Sequence, residues 1–171
     1  VLLAELPAEL VESLKQAFAE ESEEHVRNLA FARRAEQDEL PEIARLFRAV
    51  AEAERVHASE YIKYFEGMVQ DTEENLKKAF EEEIRTNVES YPPLIKQALD
   101  LDREDVAGCF NRAKDVEERH AELYKEALNA MMSETDPEYY VCQVCGYVFN
   151  RDLPDECPVC RVSKDNFKKI D

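Results

Sequence analysis

The chain has 171 residues, enough for one helical bundle core and a small appendage. Its formal net charge is −17, from 39 Asp and Glu against 22 Lys and Arg, which argues against nucleic acid as a partner. No apolar run approaches the roughly 20 residues needed to cross a bilayer, so no membrane partner is expected.

Only 3 Gly are present, and the stretch before Met132 is rich in Ala, Glu, Leu, Lys and Arg, which favours long helices. A first helix is expected from Pro7 to about Asp38, with an inner stripe of Leu10, Leu14, Ala17, Glu21, His25 or Asn28, and Ala32. Pro41 suits the first turn of a second helix. That helix carries Ile43, Phe47, Val50, Glu54, His57, Tyr61, Tyr64 and Met68 on one face, and its end is expected at Gly67. Asp71 with Glu74 resembles a capping box opening a third helix, striped by Leu76, Phe80, Glu83, Thr86 or Asn87, Tyr91 and Leu94. Pro92-Pro93 is expected to kink or locally break it. Asp102 with Asp105 is expected to start the fourth, striped by Val106, Cys109 or Phe110, Ala113, Glu117, His120, Tyr124, Ala127 and Met131. Cys109 reads as a small core residue.

Each stripe carries a glutamate where an apolar residue belongs. A lone helical Glu is usually solvated, and with so many acids some fall on a seam by chance. Glu54-Arg-Val-His57 and Glu117-Glu-Arg-His120 are harder to dismiss, because a spacing of three puts carboxylate and imidazole on one helical face. With Glu21 and Glu83 they make up the ligand set of a ferritin-like di-iron or di-manganese site.

Ser133 to Glu138 reads as a polar, Pro-interrupted linker, dividing the chain into a bundle at 1–134 and a small module at 135–171. The module contains Cys142-x-x-Cys145-Gly146-Tyr147 and Cys157-Pro158-x-Cys160, four thiolates suited to tetrahedral Fe or Zn. Paired Cys-x-x-Cys units point to metal rather than disulfides, and to a reducing cytoplasm. Spacing alone leaves a structural zinc ribbon open. The flanking residues, with Tyr139-Tyr140, resemble rubredoxin; Arg161 departs from the small residue common after the last Cys.

The whole chain resembles the rubrerythrin family. The likeness runs from Ala17-Phe18-Ala19-Glu20-Glu21-Ser22 through Ala51-Glu-Ala-Glu54-Arg-Val-His57-Ala58, Asn75-Leu76-Lys77, Ser90-Tyr91-Pro92 and Glu117-Glu-Arg-His120-Ala-Glu-Leu-Tyr124 to the rubredoxin-like tail. It implies a cytoplasmic non-haem di-iron peroxidase that reduces hydrogen peroxide to water. Electrons would come from NAD(P)H through a separate reductase or rubredoxin-type carrier, and pass from the four-cysteine iron to the di-iron site. Two iron ions would occupy the bundle site and one the Cys142, Cys145, Cys157, Cys160 cage, with Zn or Mn as substitutes. Glu54 and Glu117 would bridge, Glu21 and Glu83 would be terminal carboxylates, and His57 and His120 terminal nitrogens. Tyr91 matches a family tyrosine that hydrogen-bonds near the site. His25, one turn from Glu21, is a further candidate ligand set against a packed or solvated role.

Two positions depart from the family. Thr86 stands where these proteins usually carry a further Glu that exchanges with the second-helix histidine on oxidation. Asn28 stands where they usually carry Tyr. The remaining four Glu and two His resemble a bacterioferritin-type ferroxidase set, so iron handling is the alternative to peroxide reduction. A zinc-ribbon interaction module with no redox role would leave the seam glutamates unexplained.

Assembly follows from length. In a ferritin-like bundle the second and third helices run parallel, and a crossover of roughly 30 Å would have to be closed by about Gly67 to Thr72, which reach at most about 20 Å. A domain-swapped homodimer, or a larger assembly of such dimers, is therefore expected; the rival is simple up-down-up-down topology within one chain, with the third helix antiparallel to the second.

Overall fold

The computed structural model describes residues 6–131, 133, 136–150 and 153–171. The expected 134/135 boundary lies outside them, as does part of the expected linker. The chain is mainly helical and forms two compact units, Val1–Gln70 and Asp71–Asp171.

The first unit is a helical hairpin of α1 (Ala8–Gln37) and α2 (Pro41–Tyr61). Its turn is tight: Glu39 has φ 57° and Leu40 N–H bonds Ala35 O at 2.8 Å. Pro41 opens α2 as expected. The buried residues of this hairpin are alanines, at 32, 35, 44, 51 and 58. Small side chains let the helices approach closely, while Val26, Leu46, Val56 and Met68 stay exposed.

The second helix ends earlier than its periodicity suggests. After Tyr61 one 3-10 turn (Ile62–Tyr64) follows, and Phe65 is extended. The Phe65 ring packs edge-on against Phe18 of α1, at 5.7 Å and 82°. That contact turns the chain back before Gly67, which at φ 69° belongs to the connector rather than to the helix end.

The second unit begins at α3 (Thr72–Arg85), whose first turn is capped by the Asp71 carboxylate accepting from Glu74 N–H at 3.0 Å. Pro92-Pro93 does not break the chain's helical course. A π-turn (Thr86–Ser90) widens it, closed by Tyr91 N–H to Thr86 O, and both prolines then lie in the opening turn of α4 (Tyr91–Asp100). A proline has no N–H to leave unpaired there.

The expected cap at Asp102 is not found. Asp102 adopts φ 54° in the preceding turn, Arg103 takes the N-cap position, and Asp105 binds the Arg103 guanidinium at 2.7–2.8 Å. Helix α5 (Glu104–Ala130) follows. Cys109 is exposed rather than in the core, because Val106, Ala107 and Phe110 take the inner positions.

The C-terminal module is a three-stranded antiparallel sheet of β1 (Tyr139–Cys142), β2 (Val148–Phe149) and β3 (Phe167–Ile170), ordered β2-β1-β3. Tyr147, Phe149 and Phe167 stack along it. Two knuckles repeat one hydrogen-bond pattern. Cys142 O accepts from Gly146 N–H at 2.9 Å, and Cys157 O from Arg161 N–H at 3.0 Å. Gly146 (φ 84°) and Arg161 (φ 63°) occupy the same left-handed position, so Arg161 bears strain that glycine avoids.

Candidate metal centres

Three donor clusters are present among the described residues. Glu21, Glu54 and His57 form one, wholly within the first unit; Glu83, Glu117 and His120 form another, wholly within the second; Cys142, Cys145, Cys157 and Cys160 form the third. Within each cluster the ligand atoms lie within 4.8 Å of one another.

The two triads repeat one design. His57 Nδ1 lies 2.9 Å from Glu54 Oε2, its partner three residues back, and 3.4 Å from Glu21 Oε2. His120 Nδ1 lies 3.0 Å from Glu117 Oε2 and 3.8 Å from Glu83 Oε1. Helical spacing supplies the near pair, and the neighbouring helix supplies the third carboxylate.

The second triad has further supports. Tyr91, just after the π-turn, donates its hydroxyl to Glu117 Oε1 at 3.3 Å. His120 Nε2 lies 3.3 Å from the Gly146 carbonyl of the first thiolate knuckle. A carbonyl can only accept, so Nε2 carries a proton here; a metal bound among the carboxylates would take the Nδ1 lone pair, the tautomer this contact favours.

One acid of each triad is raised above the usual carboxylate range. Glu21 is raised, first because it shares a hydrogen bond with Glu54 and then by burial. Glu83 is pushed up to about 7, by burial first and by Glu117 second. Tyr91 and Tyr124 are raised too, each by burial and then by nearby carboxylate charge. A bound cation relieves such repulsion, so the donors fit hard divalent or trivalent metal.

The four thiols fit a tetrahedral cage. Cys142 and Cys160 Sγ are 3.6 Å apart, as are Cys145 and Cys157. A tetrahedron with metal–sulfur bonds of about 2.3 Å has edges of about 3.8 Å. Burial raises the Cys145 and Cys160 thiols. At Cys142 burial is outweighed by backbone N–H groups of Cys145 and Val144, and the thiol is lowered.

His25 is in neither triad. Its Nδ1 lies 2.7 Å from Ala51 O, a tie across the hairpin. Asn28 bonds Glu24 O on its own helix. The Gly146 contact has no counterpart in sequence reasoning, because a backbone acceptor leaves no trace in residue type.

Comparison with known proteins agrees with this geometry. The family model described as Rubrerythrin matches residues 12–128, and the rubrerythrin rubredoxin-like domain matches residues 140–168. Nigerythrin of Nitratidesulfovibrio vulgaris is 33% identical over 170 residues, covering 92% of this chain and 84% of that protein. Rubrerythrin-2 of Clostridium acetobutylicum is 28% identical, covering 91% and 93%. A solved structure of fully reduced, all-ferrous nigerythrin is similar with TM-score 0.57 at 29% identity, covering 98% of this chain and 89% of that one. The donor sets are those of the family's iron cofactors: a Glu/His di-iron site and a four-cysteine site.

The Glu83 shift has a defined consequence for the metal-free chain. The folded state holds a proton up to about pH 7 that the unfolded state releases near 4.5. Stability therefore falls as pH rises through that window and stays low above it. Glu83→Gln should stabilise metal-free protein at pH 8 by on the order of 1–3 kcal/mol and have little effect at pH 4, measured by urea unfolding. An equal effect at both pH values would refute the raised Glu83 carboxyl.

Proposed function

The chain belongs to the rubrerythrin family, and from that membership and the two kinds of donor set we propose that it is a di-iron peroxidase. It would reduce hydrogen peroxide to water with electrons delivered through the four-cysteine centre, fed by a rubredoxin or an NAD(P)H-dependent reductase. One contact carries the reading: His120 Nε2–H to Gly146 O joins the second triad to a thiolate knuckle. A structural zinc ribbon has no need of such a bond.

In this assignment Glu21, Glu54, His57, Glu83, Glu117 and His120 would hold the iron pair, with Glu54 and Glu117 shared between the two ions, and the four cysteines would hold a separate iron. Iron held there would supply the electrons for cleaving the O–O bond. The chain's own groups hold the donors still. Tyr91 holds one oxygen of Glu117, and Gly146 O fixes the His120 proton on the side away from the carboxylates. Thr86, at the start of the π-turn, offers no carboxylate for the redox-linked exchange that the family makes at this position. Pure iron handling is not favoured, since the rubredoxin-like match gives a one-electron relay that storage does not use. The boundary at 134/135 belongs to the same proposal, as does a cytoplasmic setting suited to reduced thiols. Among the described residues no helix is long and apolar enough to cross a membrane.

We further propose that the six carboxylate and imidazole donors meet in a domain-swapped homodimer. With α2 and its 3-10 turn ending at Tyr64, a parallel crossover back to the level of Glu83 needs about 27 Å. The connector Phe65–Asp71 reaches about 27 Å only when fully straight. It is not straight: Met68 N–H bonds Phe65 O at 3.1 Å and Gly67 is left-handed. The hairpin's alanine core also leaves its large apolar residues exposed in the single chain, as a partner-covered face would.

The peroxidase reading predicts that peroxide oxidises the reduced protein faster than dioxygen at equal concentration in stopped-flow. Faster oxidation by dioxygen would favour a ferroxidase instead. For assembly, a Glu21→Ala/Glu54→Ala chain mixed with a Glu83→Ala/Glu117→Ala chain should give heterodimers that regain peroxidase activity, through one intact centre. Verified heterodimers without activity would place each centre within one chain.

A further inference from the structure

Arg119 precedes His120 on α5, and its side chain reaches the same thiolate module. Its side chain is only 14% exposed, unusually little for a lone surface arginine. Nη2 donates to Asn150 Oδ1 at 2.8 Å and Nε to Val148 O at 3.4 Å, both on the thiolate module. Nη1 donates back to α5, to Glu122 at 2.8 Å and Glu126 at 3.2 Å. Asn150 Nδ2 donates to the other oxygen of Glu126 at 2.7 Å, so Arg119, Asn150 and Glu126 form a closed ring.

We infer that Arg119 is a positioning residue: its fork, in a ring with Glu126 and Asn150, sets the rubredoxin-like module on α5 so that the Gly146 carbonyl meets His120. The apolar floor alone cannot do this. Val116, 3% exposed, lies one turn before His120, and a Cβ placed on Gly146 would sit 3.8 Å from its Cγ1. Apolar contact is non-directional and permits the module to rotate. A planar fork with acceptors on both bodies fixes rotation. Val148 and Asn150 flank Phe149 at the end of β2, which pairs with β1 and its Cys142, so orienting this edge orients the knuckle. An arginine serving only Glu122 and Glu126 would be an ordinary helix-surface pair of little consequence. The two acceptors on the module set Arg119 apart from that.

The inference rests on the relay proposed above, and its test separates the two. In protein loaded with zinc at every site, NMR relaxation reports whether the module tumbles with the helices, with no redox chemistry involved. Arg119→Met keeps the stem and removes the fork; Arg119→Lys keeps charge without the fork. Both should retain the four-thiolate spectrum in the iron form. The docked fraction should fall about tenfold or more, the weight of one charged hydrogen bond, and peroxide-driven reoxidation of the reduced four-cysteine iron should slow in step. Should Arg119→Met lose the thiolate spectrum, Asn150→Ala carries the test through the same readouts. A module that stays docked in these variants, full rescue by Lys, or undocking with an unchanged relay rate would each overturn the inference. If the unaltered protein shows no peroxide-driven reoxidation, the relay fails, and the zinc-form relaxation still decides the role of Arg119 in docking.

Discussion

The fold is organised around a repulsion that helices alone cannot relieve: carboxylates placed on inward seams. Glu54 and Glu117 sit where apolar side chains would otherwise complete a core, each with a histidine one turn on and a second glutamate from the neighbouring helix. Glu83 near neutral pH and Glu21 bonded to Glu54 are the signature of that crowding. Metal converts the liability into cohesion, and the rest of the bundle is consistent with being built to receive it. The hairpin closes on alanines, which brings helices near enough for three donors to converge. The π-turn carries the chain from the helix of Glu83 to Tyr91, just ahead of the two prolines, and Tyr91 then holds Glu117.

The second dependence is directional. His120 faces two carboxylates with Nδ1 and a knuckle carbonyl with Nε2, so one imidazole belongs to two metal environments. Gly146 serves twice in that arrangement. Its left-handed backbone makes the knuckle turn, and its carbonyl receives the imidazole proton. The neighbouring Arg119 ties the same stretch of module to the same turn of helix.

The helices and the grouping of the ten proposed metal donors were legible in the sequence, because helical propensity and metal-ligand spacing are local. The inner stripes were less so: Leu10, Ile43, Leu94 and Met131 are exposed, and alanines at 35, 44, 51 and 58 take the buried positions instead. The Asp71 cap was legible for the same reason. The early end of α2 was not: Tyr64 and Met68 kept the period, but the Phe65–Phe18 contact, from residues far apart in sequence, ends the helix first. Asp102 resembled a cap, yet Arg103 drew Asp105 into an ion pair and Asp102 took the turn. Cys109 fitted the inner stripe no worse than Phe110, and only packing distinguished them. The Gly146 acceptor and the Asn150 ring were invisible, since they depend on a tertiary contact between a helix and a sheet. Arg161 showed as an oddity of residue type and proved to occupy a left-handed knuckle position.

The central claim is that the two triads act on one pair of metals rather than on two isolated ions. Mössbauer spectroscopy of oxidised protein loaded with 57Fe tests it directly. The account predicts a spin-coupled ferric pair with no magnetic splitting at low temperature, beside a separate thiolate-bound iron. Magnetically split, uncoupled ferric ions at the Glu/His donors would contradict it.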